Sequence, residues 1–300
     1  MNATVTKKKT ANKKAAAKDI KEIPPQKQNK QPGIESKMDP EPIYDNGKPG
    51  LGRLKGKVAI ITGGDSGIGR AVAISFAKEG ADIVIAYLDE HEDAKQTAAD
   101  IKKYGKEALL IPGDLSIEKN CKKVIDKAIA KFGAIDILVN NAAQQYVQKN
   151  IEDITAEQLH KTFSTNIYPY FYMSKFAMPH LKEGNVIINT ASVTAFKGNP
   201  LLMDYSSTKG AIVAFTRAFS EPALERGVRV NAVAPGPVWT PLIPASFDAK
   251  HVEEFGKNTP MKRPAQPYEI AGSYVFLATD ESSFIIGQTI HPNGGSIINA

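Results

Sequence analysis

The chain is expected to fold as one α/β domain on a doubly wound, seven-stranded parallel sheet. Two observations predict this. From residue 57 onward, seven short apolar runs alternate with longer stretches of helical period. Strict alternation of this kind places the strands side by side in parallel, with helices on both faces. The first strand also passes into its helix through a glycine-rich turn, in GKVAIITGGDSGIGRAVAISFAKEG.

Taken in order, the apolar run at 57–62 is the first strand, 63–69 the turn and 67–79 an amphipathic helix. Gly63, Gly67 and Gly69 allow a tight backbone and close approach of a pyrophosphate to the free N–H groups and positive dipole end of that helix. The run DIVIAY at 82–87 completes a βαβ unit, which makes the fold Rossmann-type. Helix 90–104 then precedes strand 107–112, helix 117–132 precedes strand 135–141, and helix 156–181 precedes strand 185–191. Helix 204–226 precedes strand 228–235, and helix 267–279 precedes a last short strand, QTIHP. Pro222 should kink or end its helix. Residues 236–266 are proline-rich, lack a clear period and are too long for an ordinary connection, so they read as a lid.

The 300 residues carry a net charge of +6, but the charge is uneven. Residues 1–30 hold nine Lys against one Asp and one Glu, so the rest of the chain is close to neutral. The reading is a basic disordered tail at 1–30, an extended arm at 31–55 and the domain at 56–300. Weak, non-specific contacts of the tail are the only nucleic-acid binding expected. A single cysteine, Cys121, excludes an intrachain disulfide and suits a reducing, cytoplasmic setting. No apolar run reaches membrane-spanning length, and no secretory leader is expected. The five histidines are scattered, and no metal site is expected.

The chemistry is carried by INTASVTAFKGNPLLMDYSSTKGA. Tyr205 and Lys209 lie four apart and share a helix face, with Ser192 at the end of the preceding strand. An ammonium near a phenol should lower a pKa that begins near ~10, making Tyr205 a proton donor and acceptor. The same spacing is common on solvated helices, so its weight comes from the phosphate loop upstream.

TGGDSGIG at 62–69, NNAA at 140–143, Asn166, Ser192, Tyr205-x-x-x-Lys209 and the Pro-Gly at 235–236 together resemble the short-chain dehydrogenase/reductase family over about residues 54–300. TGGDSGIGRA, NNAAQQY, APGPVWTPLIP and RPAQPYE are similar to its bacterial general-stress and glucose/ribitol-dehydrogenase-like subgroup. The resemblance implies an NAD(P)-dependent oxidoreductase moving hydride between a nicotinamide cofactor and an alcohol or carbonyl of the polyol, sugar or aldehyde class. A nucleotide-binding regulator without chemistry is the alternative.

It implies catalytic roles for Asn166, Ser192, Tyr205 and Lys209, with Asn166 holding a water that links Lys209 to solvent. It implies cofactor contacts at Thr62, Gly63, Asp65, Ser66, Gly67, Ile68, Gly69, Tyr87, Leu88, Asp89, Asp114, Leu115, Asn140 and Ala142. Tyr205, Lys209, Pro235, Gly236, Val238 and Thr240 complete that set. NAD is favoured over NADP because the tip of the second strand is acidic, Asp89-Glu90, although Arg70 is a cation in reach of a 2′-phosphate. Gln145, Tyr146, Phe196, Trp239 and Leu242 follow the motif strands and are read as substrate walls. Two helices, 160–181 and 204–226, carry apolar residues on more than one face, and the resemblance implies that they pair in a homotetramer.

Overall fold

Among the described residues, seven parallel strands lie in the order β3-β2-β1-β4-β5-β6-β7, numbered along the chain. The computed structural model describes residues 22–296. In chain order the elements are β1 (Val58–Thr62), α1 (Gly67–Lys78), β2 (Asp82–Tyr87), α2 (His91–Lys102) and β3 (Ala108–Pro112). There follow α3 (Glu118–Phe132), β4 (Ile137–Asn140), α4 (Ala156–Asn166), α5 (Tyr168–Ala177) and β5 (Val186–Thr190). The last third holds α6 (Thr194–Lys197), α7 (Met203–Leu224), β6 (Arg229–Val233), α8 (Leu242–Ser246), α9 (Ala249–Glu253), α10 (Pro267–Ala278) and β7 (Thr289–Ile290).

The strands read as continuous apolar runs because both faces are covered. In β1, Ala59 and Ile61 pack with α1, α2 and α10, while Val58 and Ile60 pack with α3 and α5. The order reverses between β1 and β4, the switch point at which α/β sheets open a crevice. Cys121 of α3 is buried, donates its thiol to the Leu115 carbonyl at 3.2 Å, and is pushed up to about 12 by burial.

Two expectations need correction. The helix expected at 156–181 is two helices broken at Ile167, because Pro169 has no N–H to continue the ladder. On α5, Tyr170 is buried while the adjacent Phe171 is exposed, at 52%. The boundary drawn at residue 30 lies too late. Ile23 is buried with Met38, Trp239, Ile243 and Phe247, and the Gln28 N–H donates to the Pro244 carbonyl at 2.7 Å. One apolar residue after a lysine-rich stretch leaves almost no trace in an average composition. Residues 1–21, the remainder of the expected tail, lie outside the described residues.

The arm then runs across the body as far as β1. The Ile43 N–H donates to Gln266 Oε1 at 2.7 Å, and Lys78 pairs with Asp45 at 2.6 Å. Pro222 is accommodated because α7 ends two residues later, at Leu224. No helix among the described residues is long and apolar enough to cross a membrane.

Candidate active site

The C-terminal ends of the strands open into a cavity of about 870 Å³. Gly63, Asp65, Ser66, Gly67 and Ile68 line it, with φ +63° at Gly63 and +54° at Gly67. Those left-handed angles explain why glycine stands at both positions. Gly69 does not line the cavity. A Cβ there would lie 1.9 Å from the Gly63 carbonyl oxygen, so its place is to let α1 pack against the turn. Thr62 also acts from behind: its hydroxyl accepts from the N–H groups of Asn141 at 2.8 Å and Ala142 at 3.1 Å, tying the ends of β1 and β4 together.

Tyr87, Leu88, Asp114, Leu115, Ala142, Pro235, Gly236, Val238 and Thr240 line the cavity. Asn140 and Asp89 do not. Asn140 is sealed in the sheet, where its amide donates to Asn189 Oδ1 at 3.0 Å, and Asn141 takes its place at the wall. Asp89 turns outward to Lys30 of the arm, at 2.8 Å, and the neighbouring Glu90 faces the cavity instead. Glu90 Oε1 is buried without a hydrogen-bond partner, and Lys30 Nζ stands 3.9 Å from it. Burial first, then Asp89, pushes the Glu90 carboxyl up to about 8, and burial pushes Asp65 up to about 6. Arg70 is withdrawn from the cavity. It pairs with Glu35 at 3.1 Å and Asp100 at 2.8 Å, and its guanidinium lies 3.8 Å above the Tyr44 ring.

Ser192, Tyr205 and Lys209 meet at the opposite end of the cavity. Ser192 follows β5, and its Oγ accepts from the N–H and hydroxyl of Thr194, each at 3.1 Å. Its own O–H is thereby left to point elsewhere. Lys209 is fully buried, donates to the Thr190 carbonyl at 2.8 Å, and stands 5.4 Å from the centre of the Tyr205 ring. Burial pushes Tyr205 up to about 12 against a hydrogen bond with Ser192, and pushes Lys209 down to about 7. The expected lowering of the phenol is thus reversed by desolvation, which disfavours both charged forms.

Asn166 is brought close to the site but not into it. Its side chain accepts from the Gln144 N–H and donates to the Gln144 carbonyl, both at 2.8 Å, and donates to Thr208 Oγ1 at 3.2 Å. It braces the loop after β4 against α7.

Of the expected substrate walls, Gln145 and Leu242 line the cavity. Tyr146 turns away to Gln144 Oε1, and Phe196 packs edge-on against His291. Trp239 is fully buried, and its indole N–H donates to the arm carbonyl of Pro40 at 2.8 Å. All three follow motif strands, but none of them lines the cavity. The walls missed in the sequence include Asn199, Leu202, Phe247 and His251. The spacing of Phe247 and His251, whose rings stack at 4.1 Å, is their only sequence signal.

The family model described as enoyl-(acyl carrier protein) reductase matches residues 63–296, and the chain is 55% identical over 279 residues to general stress protein 39 of Bacillus subtilis (strain 168). That alignment covers 93% of this chain and 98% of the relative. The chain belongs to the short-chain dehydrogenase/reductase family. As a member of that family it is an oxidoreductase. This short-chain dehydrogenase/reductase is also 52% identical to glucose and ribitol dehydrogenase of Daucus carota, over 93% of this chain and 98% of that one. It is 51% identical to NADPH-dependent aldehyde reductase 1, chloroplastic, of Arabidopsis thaliana, over 92% and 98%. Among solved structures, a short chain dehydrogenase from Burkholderia cenocepacia J2315 in complex with NADP superposes with a TM-score of 0.76 at 30% identity. Another from Mycobacterium paratuberculosis, bound to NAD, gives 0.75 at 28%. Each covers 81% of this chain and 98% of its own.

Proposed function

We propose that this protein uses a nicotinamide dinucleotide to interconvert an alcohol and a carbonyl compound of the polyol, sugar or aldehyde class. The observation that carries this is the convergence of Ser192, Tyr205 and Lys209 in the same cavity as the Gly63–Ile68 turn and the 235–242 segment. The cradle fits a dinucleotide: glycines with left-handed backbone stand at the turn, and an unpartnered carboxylate oxygen of Glu90 faces inward. The N–H groups of the 63–68 turn, other than the Gly67 N–H that Glu35 takes, would hold the phosphates, Glu90 a ribose hydroxyl, and residues 235–240 the nicotinamide end.

When bound, the dinucleotide supplies or accepts the hydride. The chain handles the proton. In reduction the Tyr205 O–H donates to the substrate oxygen, and in oxidation the phenolate takes a proton from the alcohol. The Ser192 O–H, turned toward Tyr205 because Thr194 saturates its acceptor side, orients the same oxygen. Lys209, fixed by the Thr190 carbonyl, gains reason to hold its proton whenever Tyr205 loses one. Residues 236–266 act as the lid over the substrate.

NAD is the better fit than NADP. Asp65 and Glu90 crowd the ribose end with carboxyl groups, and Arg70 is committed to Glu35 and Asp100. A homotetramer is supported by an aromatic stripe across α5 and α7, where exposed Phe171 lies 4.4 Å from the partly buried Phe215 ring and Phe219 stacks on Phe215. A cytoplasmic setting suits the lone, buried thiol of Cys121. Turnover of NADH and NADPH with a panel of aldehydes, ketoses and polyols tests the reading. Absence of turnover with every member of the panel would remove it.

A further inference from the structure

The cavity has a wall that the glycine turn, the catalytic helix and the lid do not supply. Pro32 and Gly33 of the arm line it. The residues around them fasten alternately to the two lips of the cleft. On the lid side, the Gln28 N–H donates to the Pro244 carbonyl at 2.7 Å. Gly33 lies so close that a Cβ would be 2.4 Å from the Pro241 carbonyl oxygen and 3.0 Å from Ala245 Cβ. Behind the nicotinamide end, Gln31 grips the backbone of Gln145 twice, donating to its carbonyl at 2.6 Å and accepting from its N–H at 3.3 Å.

On the phosphate side, Glu35 is buried at 2% exposure. Its Oε2 accepts from the Gly67 N–H, the first residue of α1, at 2.6 Å, and its Oε1 pairs with Arg70. Its own N–H donates to Asp93 of α2 at 3.0 Å. The two lips also meet directly, since a Cβ at Gly67 would come within 3.1 Å of Thr240. The chain from Gln28 to Glu35 therefore crosses the middle of the cleft and joins the phosphate helix to the lid.

We propose that residues 28–35 form a strap that retains the dinucleotide, with Glu35 and Gln31 as the positioning residues that hold Pro32 and Gly33 in place as its wall. This rests on the dinucleotide reading above. A carboxylate fixed by a helix N-terminus and an arginine is a rigid anchor. The glutamine clamp adds two bonds at the other end of the span. Because Pro32 and Gly33 wall the same cavity as the turn that would hold the phosphates, and Gly33 abuts the lid at Pro241, the bound molecule leaves only when the strap or the lid lets go. The strap acts on retention and has no part in proton transfer, so it sets the cofactor's residence time and leaves the chemistry to Tyr205.

The test measures NADH and NADPH binding and release by fluorescence in the full-length protein, with Gly33→Ala, Gln31→Ala and Glu35→Ala. Gly33→Ala pushes the strap off the lid while leaving Glu35 on Gly67. Release should quicken by about tenfold or more in each variant, with a matching rise in cofactor KM and unchanged kcat at saturation. The KM for the carbonyl substrate should stay put in Gly33→Ala and Glu35→Ala, a split that general loss of stability would not produce. If Glu35→Ala does not fold, the other two variants decide. Release within about twofold of wild type in Gly33→Ala and Gln31→Ala overturns the strap. A wild type that binds neither nucleotide overturns the dinucleotide reading and the strap with it; a wild type that binds while the variants release normally overturns the strap alone.

Discussion

Tyr205 is a buried phenol whose desolvation is opposed by a hydrogen bond from Ser192, and this decides how its chemistry depends on pH. Pushed up to about 12, it holds its proton across the neutral range, the form that reduction needs. The reductive rate should therefore stay level where the oxidative rate climbs toward alkaline pH, as phenolate becomes available. A pH profile of both directions checks this, and an oxidative rate that is highest in acid would contradict it. Tyr205→Phe should lower kcat by ~10²–10⁴-fold while cofactor affinity, measured by titration, stays nearly constant. Glu90→Gln should narrow any preference for NADH over NADPH. With the Glu90 carboxyl pushed up to about 8, its hydrogen bond is that of a neutral group at neutral pH, worth about 0.5–1.5 kcal/mol, roughly a two- to tenfold change in the ratio of dissociation constants. The glycine turn and the Tyr-x-x-x-Lys pair were legible because local spacing dictates them. Asp89 and Glu90 were not separable, since which of two adjacent carboxylates faces the cleft depends on Lys30, 59 residues away in the chain.

At the scale of elements, every strand and nearly every long helix could be read from period and punctuation. The exception is the Ile167 break, where the apolar pattern runs through and only Pro169 marks the boundary. Side chains on α5 were harder to place because a helix with apolar residues all round does not announce which face the sheet takes. Tyr170 goes inward, with its hydroxyl donating to the Thr190 carbonyl at 3.0 Å, the same oxygen that holds Lys209. Phe171 goes outward and meets Phe215 of α7. If that stripe joins subunits, Phe171→Glu should shift the assembly to smaller species by light scattering at micromolar concentration, with native circular dichroism. An unchanged mass would place the interface elsewhere.

Across the whole molecule, buried carboxyl groups gather where the arm meets α1 and α2. Burial pushes Glu35 up from 4.5 to about 7, with Arg70 and the Gly67 N–H opposing, and Asp65 and Glu90 shift in the same direction. Such groups keep their protons longer in the folded chain than in the unfolded one. Folded protein therefore binds more protons between 4.5 and about 7, and the contribution of Glu35 to stability declines as pH rises through that window. Melting temperature should fall with rising pH there, and Glu90→Gln should flatten the slope. A slope that the substitution leaves unchanged would show that these carboxyls do not control it.

The arm also has a bearing on how the protein is made. Its anchors are remote in sequence: Pro40 receives the Trp239 indole 199 residues later, and Ile43 bonds to Gln266 across 223 residues. A chain leaving the ribosome exposes the arm first, yet the surfaces that seat it are among the last to emerge. Non-local contacts of this span are slow to form. The sheet can begin pairing at β1 and β2 while the arm waits, so a segment synthesised before the whole sheet should be the last to dock. Nascent chains halted before Trp239 should then show the arm open to protease even where β1 to β5 are already protected.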